Sequence, residues 1–338
     1  MYSDTLNLAI KETICFVDDL KFAITRSLKI AADFDKILIC GMGASAIGGD
    51  VLIDLLAPSS KVPISVVRSM DLPYWIDSKT FVIACSYSGN TRETISMYDQ
   101  AVRIGCSVAA ITAGGKLMKR CEKDGTILVK LDGGRQPRNS LGLIMGYMAN
   151  IIETIGGAKC KADIIALLPT LYKFRDELDL YDPDSPAIAI AKIIHGPLPV
   201  IYSTSGITAS AIRWKTQINE NSKMIAFNGA IPEFNHNEIV GWSQATVRFN
   251  CRPIFLYEDG IPEVMKIMVD ASIETLKKFY VEPVVINIRG KTVLERCIRA
   301  IMFGDYVSLY LAHMNNADPI DVESIVNLKN TVSKKLGD

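Results

Sequence analysis

Short apolar runs alternate with longer amphipathic stretches along the first half of the chain. The run 36–40 ends in Gly41-Met42-Gly43 and is followed by helix-compatible residues at 44–56. Further apolar runs lie at 62–67, 81–85, 107–112 and 126–131, and a helical stretch covers 91–104. Short apolar runs bounded by turn residues predict strands, and the stretches between them predict helices. This alternation predicts a parallel sheet with helices on both faces.

The second half of the chain repeats the plan. Apolar runs at 199–203, 224–227, 252–257 and 283–288 are separated by helical stretches, the first of them at 207–220. The tetrapeptide Ala-Ser-Ala-Ile occurs at 44–47 and again at 209–212, in each half after the first glycine turn. Residues 137–156 predict a long helix that closes the first half, and 157–162 predict a hinge. At about 150 residues per domain, the 338 residues therefore predict two domains, 1–157 and 158–338.

Composition and charge exclude several classes of protein. The 37 basic side chains balance 37 acidic ones, so no net cationic field attracts a nucleic acid or an anionic membrane. No stretch of about 18 uncharged apolar residues predicts a membrane span, and the first residues do not resemble a secretion signal. We therefore expect a soluble cytoplasmic protein with no nucleic-acid partner and no membrane partner.

Cysteine and histidine contents argue against a metal centre. The eight cysteines are scattered without a C-x-x-C pair, which is typical of reduced thiols in a cytoplasmic protein. The three histidines lie far apart in sequence, which leaves few imidazoles for a multi-histidine site. We expect neither a metal nor another cofactor.

Two loops of the first half have the composition of ligand-binding loops. In a parallel sheet, ligands bind beyond the carboxyl ends of the strands. The loop 41–45 contains Gly43 and Ser45, but Ala46 replaces the third glycine of a dinucleotide fingerprint, which weakens an NAD-binding interpretation. The loop 86–91 carries three hydroxyls before a predicted helix, and Asn90 with Glu93 has the spacing of a capping box. Such a loop either binds a phosphate or only caps the helix with its serines. If it binds a phosphate, a phosphosugar is the leading ligand, because hydroxyls and backbone N–H groups neutralise a phosphate without excluding a neutral sugar.

Charged residues that could carry chemistry lie in the middle of the chain. Pro137 can open a helix, which places Arg138 in a first turn whose dipole disfavours a cation. Either an anion compensates that charge or the side chain is solvated. The densest polar stretches are 213–223 and 231–238. Glu220 is a candidate base and His236 a candidate acid or base, and two further carboxylates compete for the base role, Glu233 and Glu238.

These residues together resemble a known family. The matching blocks are 41–45, 86–91, 137–140, 215–221 and 233–238, and the last two are the most specific. The chain resembles the archaeal bifunctional phosphoglucose/phosphomannose isomerases of the sugar isomerase (SIS) domain superfamily, over nearly its whole length. The resemblance implies an α/β fold of two SIS domains, each a flavodoxin-like α-β-α sandwich with a five-stranded parallel sheet. It also implies a homodimer with a shared active site.

The resemblance further implies roles for individual residues. Gly43, Ser45, Ser86, Ser88 and Thr91 would hold the sugar phosphate. Glu220 would move a proton between C1 and C2, Arg138 would stabilise the enediolate, His236 would assist ring opening, and Lys329 looks like the family's C-terminal lysine near the ring-opening site. The family's mannose 6-phosphate activity is associated with a threonine before that lysine, whereas Ile320-Asp321-Val322 occupies this region here.

The sequence therefore predicts an aldose–ketose isomerase that interconverts glucose 6-phosphate, and also mannose 6-phosphate, with fructose 6-phosphate. A carboxylate base and an oxyanion donor suit that reaction, which needs no redox cofactor. One alternative is an SIS-domain sensor that binds a sugar phosphate without catalysis. A sensor could lose Glu220 and Arg138 and would usually add a DNA-binding segment. The other alternative, an NAD-dependent oxidoreductase, requires the glycine fingerprint that this chain lacks.

Overall fold

The computed structural model describes residues 2–56, 59–244 and 250–337. Within the first part of the chain, the elements alternate as the apolar pattern predicts. They are α1 (Asp4–Ile14), α2 (Phe16–Thr25), β1 (Lys36–Cys40), α3 (Ala44–Leu56), β2 (Ile64–Val67), β3 (Thr80–Cys85), α4 (Arg92–Ile104), β4 (Ser107–Thr112), α5 (Gly115–Asp124), β5 (Ile127–Lys130), a 3₁₀ turn (Pro137–Ser140) and α6 (Leu141–Thr154).

The second part begins with two helices and then returns to alternating strands and helices. Its elements are α7 (Lys161–Glu177), α8 (Pro186–Ile194), β6 (Leu198–Thr204), α9 (Thr208–Ser222), β7 (Phe227–Ile231), a 3₁₀ turn (Glu233–His236), α10 (Glu238–Trp242), β8 (Cys251–Glu258), α11 (Glu263–Lys278), β9 (Val284–Ile288), α12 (Val293–Met314) and α13 (Glu323–Leu336).

The nine strands of the described ranges form two parallel sheets. The first has the order β2-β1-β3-β4-β5, and the second has the order β7-β6-β8-β9. Each order reverses once, between β1 and β3 in the first sheet and between β6 and β8 in the second. At such a reversal the following loops run to opposite sides and leave a crevice beyond the strand ends. The α/β fold with two parallel sheets is therefore confirmed.

The second sheet differs from the expected fold in its strand count. It has four strands in the described ranges, where five were expected. After β9 the chain enters α12, which has 22 residues, and then α13, so the part that follows contains helices instead of a fifth strand. Strand β7 also begins at Phe227, whereas the apolar pattern predicted a strand at 224–227. The left-handed backbone at Lys223 ends α9, and residues 224–226 connect it to the strand.

A close helix pair in the core carries much of the polar block. Helix α9 packs along α12, and Trp214 of α9 is fully buried. A Cβ on Gly304 of α12 would lie 2.4 Å from the Trp214 ring, so glycine is needed at this crossing. The Trp214 indole N–H donates to the carbonyl of Ala300 at 2.7 Å, which satisfies the polar atom that the contact buries.

The segment predicted as a hinge is a packed connection. The backbone N–H groups of Cys160 and Lys161 both donate to the Glu153 carboxylate, at 2.6 and 2.8 Å. The boundary between 157 and 158 stays a prediction. None of the helices in the described ranges is both long and apolar enough to cross a bilayer. Within those ranges, no group of three or more His, Cys, Asp and Glu side chains is arranged to hold a metal ion.

Candidate active site

Two loops meet at the crevice of the first sheet. The loop 41–45 follows β1 and the loop 86–91, which we call the serine loop, follows β3. The first loop packs against the residue that precedes the second, because a Cβ on Gly41 would lie 3.1 Å from the carbonyl oxygen of Cys85. The residues predicted to bind phosphate therefore share one location, as expected from the strand order.

The hydroxyls of these loops differ in exposure. The Ser86 hydroxyl donates to the Thr91 hydroxyl at 2.8 Å, and Ser86 is buried. Ser45 is also buried, whereas Gly43 and Ser88 are exposed. Thr91 precedes α4 and makes no side-chain hydrogen bond that caps this helix. The first turn of α4 thus lacks a capping side chain, which is the arrangement that favours an anion at a helix N-terminus.

The end of the serine loop is locked to the loop after β4. Gly89 has a φ of +65°, and a Cβ there would lie 1.7 Å from the Gly114 carbonyl oxygen, so only glycine fits. The Asn90 side chain accepts from the backbone N–H of Lys116 at 3.1 Å. The capping-box prediction for Asn90 is therefore wrong, because its amide joins two loops and the helix begins after Thr91.

Arg138 is buried on the 3₁₀ turn before α6, so the solvated alternative is excluded. Its Nη1 lies 3.4 Å from Oε2 of Glu220, which α9 contributes from the second half of the chain. The Arg138 side chain is 4% exposed and that of Glu220 is 32% exposed. The structure thus pairs a buried guanidinium with a carboxylate that solvent can reach, and an anion compensates the unfavourable helix position of Arg138.

Two cations beside Glu220 have lowered pKa values. Burial lowers the pKa of Arg138, and Glu220 opposes that shift. Burial followed by repulsion from Arg138 lowers the pKa of Lys223. The Lys223 ammonium donates to three backbone carbonyls, those of Glu220, Asp318 and Asp321, at 2.6 to 2.8 Å. Lys223 therefore closes the end of α9 and holds the segment before α13 against it.

Tyr87 of the serine loop contacts the loop that leads to Arg138. Its hydroxyl donates to the carbonyl of Asp132 at 2.8 Å and accepts from the N–H of Arg135 at 3.2 Å. A carboxylate from α1 supports the same loop, because Glu12 accepts from the N–H of Gln136 at 3.2 Å and from the Asn139 amide at 2.8 Å. Sequence reasoning missed both residues; Tyr87 lies within the serine loop itself, but its partners are 45 and 48 residues away.

We expect Tyr87→Phe to lower the free energy of unfolding by about 1–3 kcal/mol, because it removes two half-buried hydrogen bonds that contribute about 0.5–1.5 kcal/mol each. Chemical denaturation measures this change. Tyr74→Phe is the control, since Tyr74 is fully exposed and its change should be within about 0.5 kcal/mol. Equal stability of both variants would contradict a structural link through the Tyr87 hydroxyl.

The remaining carboxylates of the polar block have other partners. Glu238 accepts from the Tyr202 hydroxyl at 2.9 Å, and Glu233 accepts from the Asn237 amide at 2.5 Å. His236 is exposed on the 3₁₀ turn after the edge strand β7. Among the described residues, no hydrogen bond or ion pair joins His236 to Glu220 within the chain.

Lys329 lies on α13 close to the serine loop. It is exposed and lines a cleft of about 500 Å³ together with Asn90 and Thr91. The Arg92 guanidinium donates to the Ser333 hydroxyl of α13 at 3.4 Å. Helix α13 thus passes the N-terminus of α4, which brings Lys329 beside the predicted phosphate site.

The crevice of the second sheet is occupied by the protein's own carboxylates. Asp54 of α3 accepts from the N–H of Ala209 at the start of α9, at 3.1 Å, and burial raises the pKa of Asp54 to about 6. Glu258 at the end of β8 accepts from the Thr204 hydroxyl and from Nε of Arg296. A carboxylate therefore takes the place at the start of α9 that an anion could take at the start of α4.

Comparison of sequences identifies relatives over most of the chain. A family model described as bacterial phospho-glucose isomerase C-terminal SIS domain matches residues 183–332. A bifunctional phosphoglucose/phosphomannose isomerase of Caldicellulosiruptor bescii is 37% identical over 311 residues, which cover 90% of this chain and 91% of that protein. A D-glucosamine-6-phosphate 4-epimerase of Sulfolobus acidocaldarius is 33% identical over 254 residues, covering 74% and 78%.

Solved structures agree on the fold. The tagatose-6-phosphate ketose/aldose isomerase of Escherichia coli superimposes with a TM-score of 0.60 at 15% identity and covers 94% of this chain and 95% of that one. At this identity the likeness supports the SIS-type fold alone. The sequence relatives also show the family, because most of the chain aligns with proteins that are all named bifunctional phosphoglucose/phosphomannose isomerase. The chain belongs to the bifunctional phosphoglucose/phosphomannose isomerase family.

Proposed function

We propose that this protein interconverts glucose 6-phosphate and mannose 6-phosphate with fructose 6-phosphate through a cis-enediolate. The observation that carries the proposal is the pairing of Glu220 with Arg138 at 3.4 Å. A partly exposed carboxylate can reach a substrate carbon, and a buried guanidinium beside it can stabilise a developing oxyanion. This pair supports Glu220 as the base over Glu233 and Glu238, which have other partners.

The reaction only moves protons and an electron pair between C1, C2 and their oxygens, so it needs no second reactant. Glu220 removes the proton from C2 of the open-chain aldose, and the electron pair forms the C1–C2 double bond while O1 becomes negative. Arg138 donates to the enediolate oxygens. Return of the proton to C1, with transfer of the C2 hydroxyl proton to O1, gives the ketose. The planar enediolate can accept a proton at C2 on either face, which allows both glucose and mannose epimers to form.

The phosphate group is assigned to the crevice of the first sheet. Ser86, Ser88 and Thr91 precede α4, Gly43 and Ser45 lie in the neighbouring loop after β1, and Lys329 would add a positive charge from α13. Tyr87 connects this loop to the one before Arg138. The phosphate site and the site of the reacting carbons are therefore held in a fixed relative position. Binding energy from the phosphate can therefore position C1 and C2.

We further propose that the protein is a cytoplasmic homodimer in which His236 assists ring opening in the partner's site. Helix α13 has no buried residue, and four apolar side chains at intervals of three and four residues are exposed on one of its faces, those of Ile325, Leu328, Val332 and Leu336. An exposed contiguous apolar face is typical of an interaction surface, and we assign a second copy of the chain to it. The eight free thiols suit a reducing compartment.

An assay with purified protein and fructose 6-phosphate tests the proposed function. Nuclear magnetic resonance should detect glucose 6-phosphate and mannose 6-phosphate as they form. Glucosamine 6-phosphate is tested in parallel, because one relative is named as its 4-epimerase. Turnover of that sugar alone would replace the isomerase proposal, and saturable binding of fructose 6-phosphate without turnover would favour the sensor.

We expect Ser88→Ala to raise the KM for fructose 6-phosphate and the inhibition constant for inorganic phosphate, each by about tenfold. A hydrogen bond to a charged group contributes about 1.5–3 kcal/mol, and the exposure of Ser88 places it at the lower end. Steady-state kinetics measures both constants. Ser78→Ala is the matched control, since Ser78 is an exposed serine near the opposite end of β3. Unchanged constants in Ser88→Ala would remove this hydroxyl from the phosphate site.

A further inference from the structure

Arg138 uses most of its hydrogen-bond donors within the protein. A guanidinium has five N–H donors in one plane. Nε donates to Oδ1 of Asn221 at 2.8 Å, and Nη1 donates to the Gln136 side chain at 3.2 Å and to Glu220 at 3.4 Å. Nη2 donates to the carbonyl of Pro319. Two hydrogens can therefore turn to a substrate oxygen, as judged from the described residues. One is the second hydrogen of Nη2, and the other is the Nη1 hydrogen that makes only the long contact to Glu220.

Asn221 holds the Nε end of this plane. It follows Glu220 on α9, is 1% exposed, and donates from Nδ2 to the Ser308 hydroxyl of α12 at 2.9 Å. The proton of Ser308 is already used, because that hydroxyl donates to the carbonyl of Asp305 at 2.7 Å. Ser308 can therefore only accept from Asn221, which turns the amide oxygen towards Arg138.

Helix α12 also supports the backbone of Arg138. Arg213 of α9 donates from Nη2 to the Arg138 carbonyl at 2.8 Å and is paired with the Asp305 carboxylate at 2.8 and 3.0 Å. Asp305 and Ser308 are one turn apart on α12, so one helix fixes both the backbone and the guanidinium of Arg138 through two residues of α9. The Arg213–Asp305 pair is a buried ion pair whose removal would disturb the fold, whereas Asn221 and Ser308 are neutral.

We propose that Asn221, oriented by Ser308, is a positioning residue that sets the plane of the Arg138 guanidinium for the enediolate. This inference rests on the proposed function. The bond at Nε fixes one edge of the plane, and the bonds of the Nη groups to Gln136 and to the Pro319 carbonyl fix the other, because the five donors of a guanidinium keep a fixed relative geometry. Without the Nε bond, the guanidinium can tilt about its remaining Nη contacts, which misaligns its donors with the oxyanion while the phosphate still binds.

The test compares Asn221→Ala with Asn150→Ala. Asn150 is a matched control because it is fully buried and donates to two carbonyls, those of Ala23 and Arg26, at 2.8 Å each, on α6 and away from Arg138. We expect kcat for fructose 6-phosphate to fall about tenfold in Asn221→Ala with KM changed less than about twofold. Asn150→Ala should lose stability but keep kcat.

Two further variants separate positioning from general destabilisation. Ser308→Ala should lower kcat about threefold, because Asn221 keeps its place but loses the partner that orients its amide. It also serves as the second test if Asn221→Ala does not fold. In an Arg138→Ala background, Asn221→Ala should cause no further loss of kcat, since its effect is transmitted through Arg138. A full tenfold loss in that background would overturn the proposal, as would normal kcat in both Asn221→Ala and Ser308→Ala.

A binding measurement distinguishes this proposal from the proposed function. A five-carbon sugar-phosphate hydroxamate has a planar oxygen pair like that of the enediolate, and inorganic phosphate reports on the phosphate loop alone. In Asn221→Ala, the Kd of the hydroxamate should rise about tenfold and that of phosphate should stay unchanged. Equal hydroxamate affinity in parent and variant would overturn the role of Asn221. Failure of the parent protein to bind the hydroxamate or to convert fructose 6-phosphate would instead contradict the proposed function.

Discussion

Glu220→Gln is expected to lower kcat for isomerisation by about 10³-fold, while inorganic phosphate still binds. The amide keeps the shape of the carboxylate but cannot accept a proton from carbon, and general-base catalysis contributes about 10²–10⁴-fold. The variant also keeps an oxygen that can contact Arg138. Loss of deuterium from C2 of labelled glucose 6-phosphate into water measures the proton transfer directly. We expect the rate of deuterium loss to fall by the same factor as kcat.

The neighbouring carboxylates provide controls for this experiment. Glu233→Gln should keep kcat, because Glu233 is exposed and contacts Asn237. Glu238→Gln should lower stability more than activity, since Glu238 accepts a hydrogen bond from the buried Tyr202. If Glu220→Gln exchanged the label at the parental rate, Glu220 would not be the base, and the variant at 233 or 238 that abolished exchange would identify it.

The second large effect is expected when two inactive variants are mixed. Glu220→Gln and His236→Ala subunits should each be inactive alone and should recover about a quarter of the parental activity after equimolar subunit exchange. Random exchange makes about half of the dimers mixed, and each mixed dimer has one intact site and one doubly damaged site if His236 acts on the partner. The exposed position of His236, apart from Glu220 of its own chain, motivates this expectation.

Turnover of fructose 6-phosphate is followed during the exchange. Exchange itself is confirmed by native mass spectrometry of subunits with different masses. A mixture of Glu220→Gln with Glu220→Ala is the control, because no combination of its subunits restores a complete site. Confirmed exchange without recovered turnover would mean that His236 acts within its own chain, whereas full activity of His236→Ala by itself would remove His236 from the reaction.

The serine loop illustrates what local sequence predicts well. The buried run before it, the hydroxyls and Gly89 all lie within about ten residues, and strand, turn and helix signals act over that range. The alternation of strands and helices likewise predicted two parallel sheets, both of which are present. The phosphate roles of Ser86 and Thr91 stay predictions, but their common location follows from the strand order.

Other local predictions did not hold, because distant partners competed with the near ones. Asn90 has the spacing of a helix cap but bonds to Lys116, 26 residues away. The apolar stretch at 224–227 was predicted as a strand, yet β7 begins at Phe227 because Lys223 closes α9 first. In the first case a tertiary hydrogen bond takes the side chain on which the local pattern depended. In the second, the carbonyls of Asp318 and Asp321, 95 and 98 residues away, hold Lys223 at the end of α9.

The sequence by itself determined the alternating elements, the place of the serine loop and the residue types available for proton transfer, because backbone preferences and apolar periodicity are local properties. Only the tertiary structure decided which charges meet. Arg138 and Glu220 are 82 residues apart, and Asn221 and Ser308 are 87 apart. Their contacts depend on the packing of α9 against α12 and against the turn before α6, which no short stretch of sequence encodes. The same packing buries Arg138 and leaves Glu220 accessible, and that difference in exposure gives the pair its proposed chemistry.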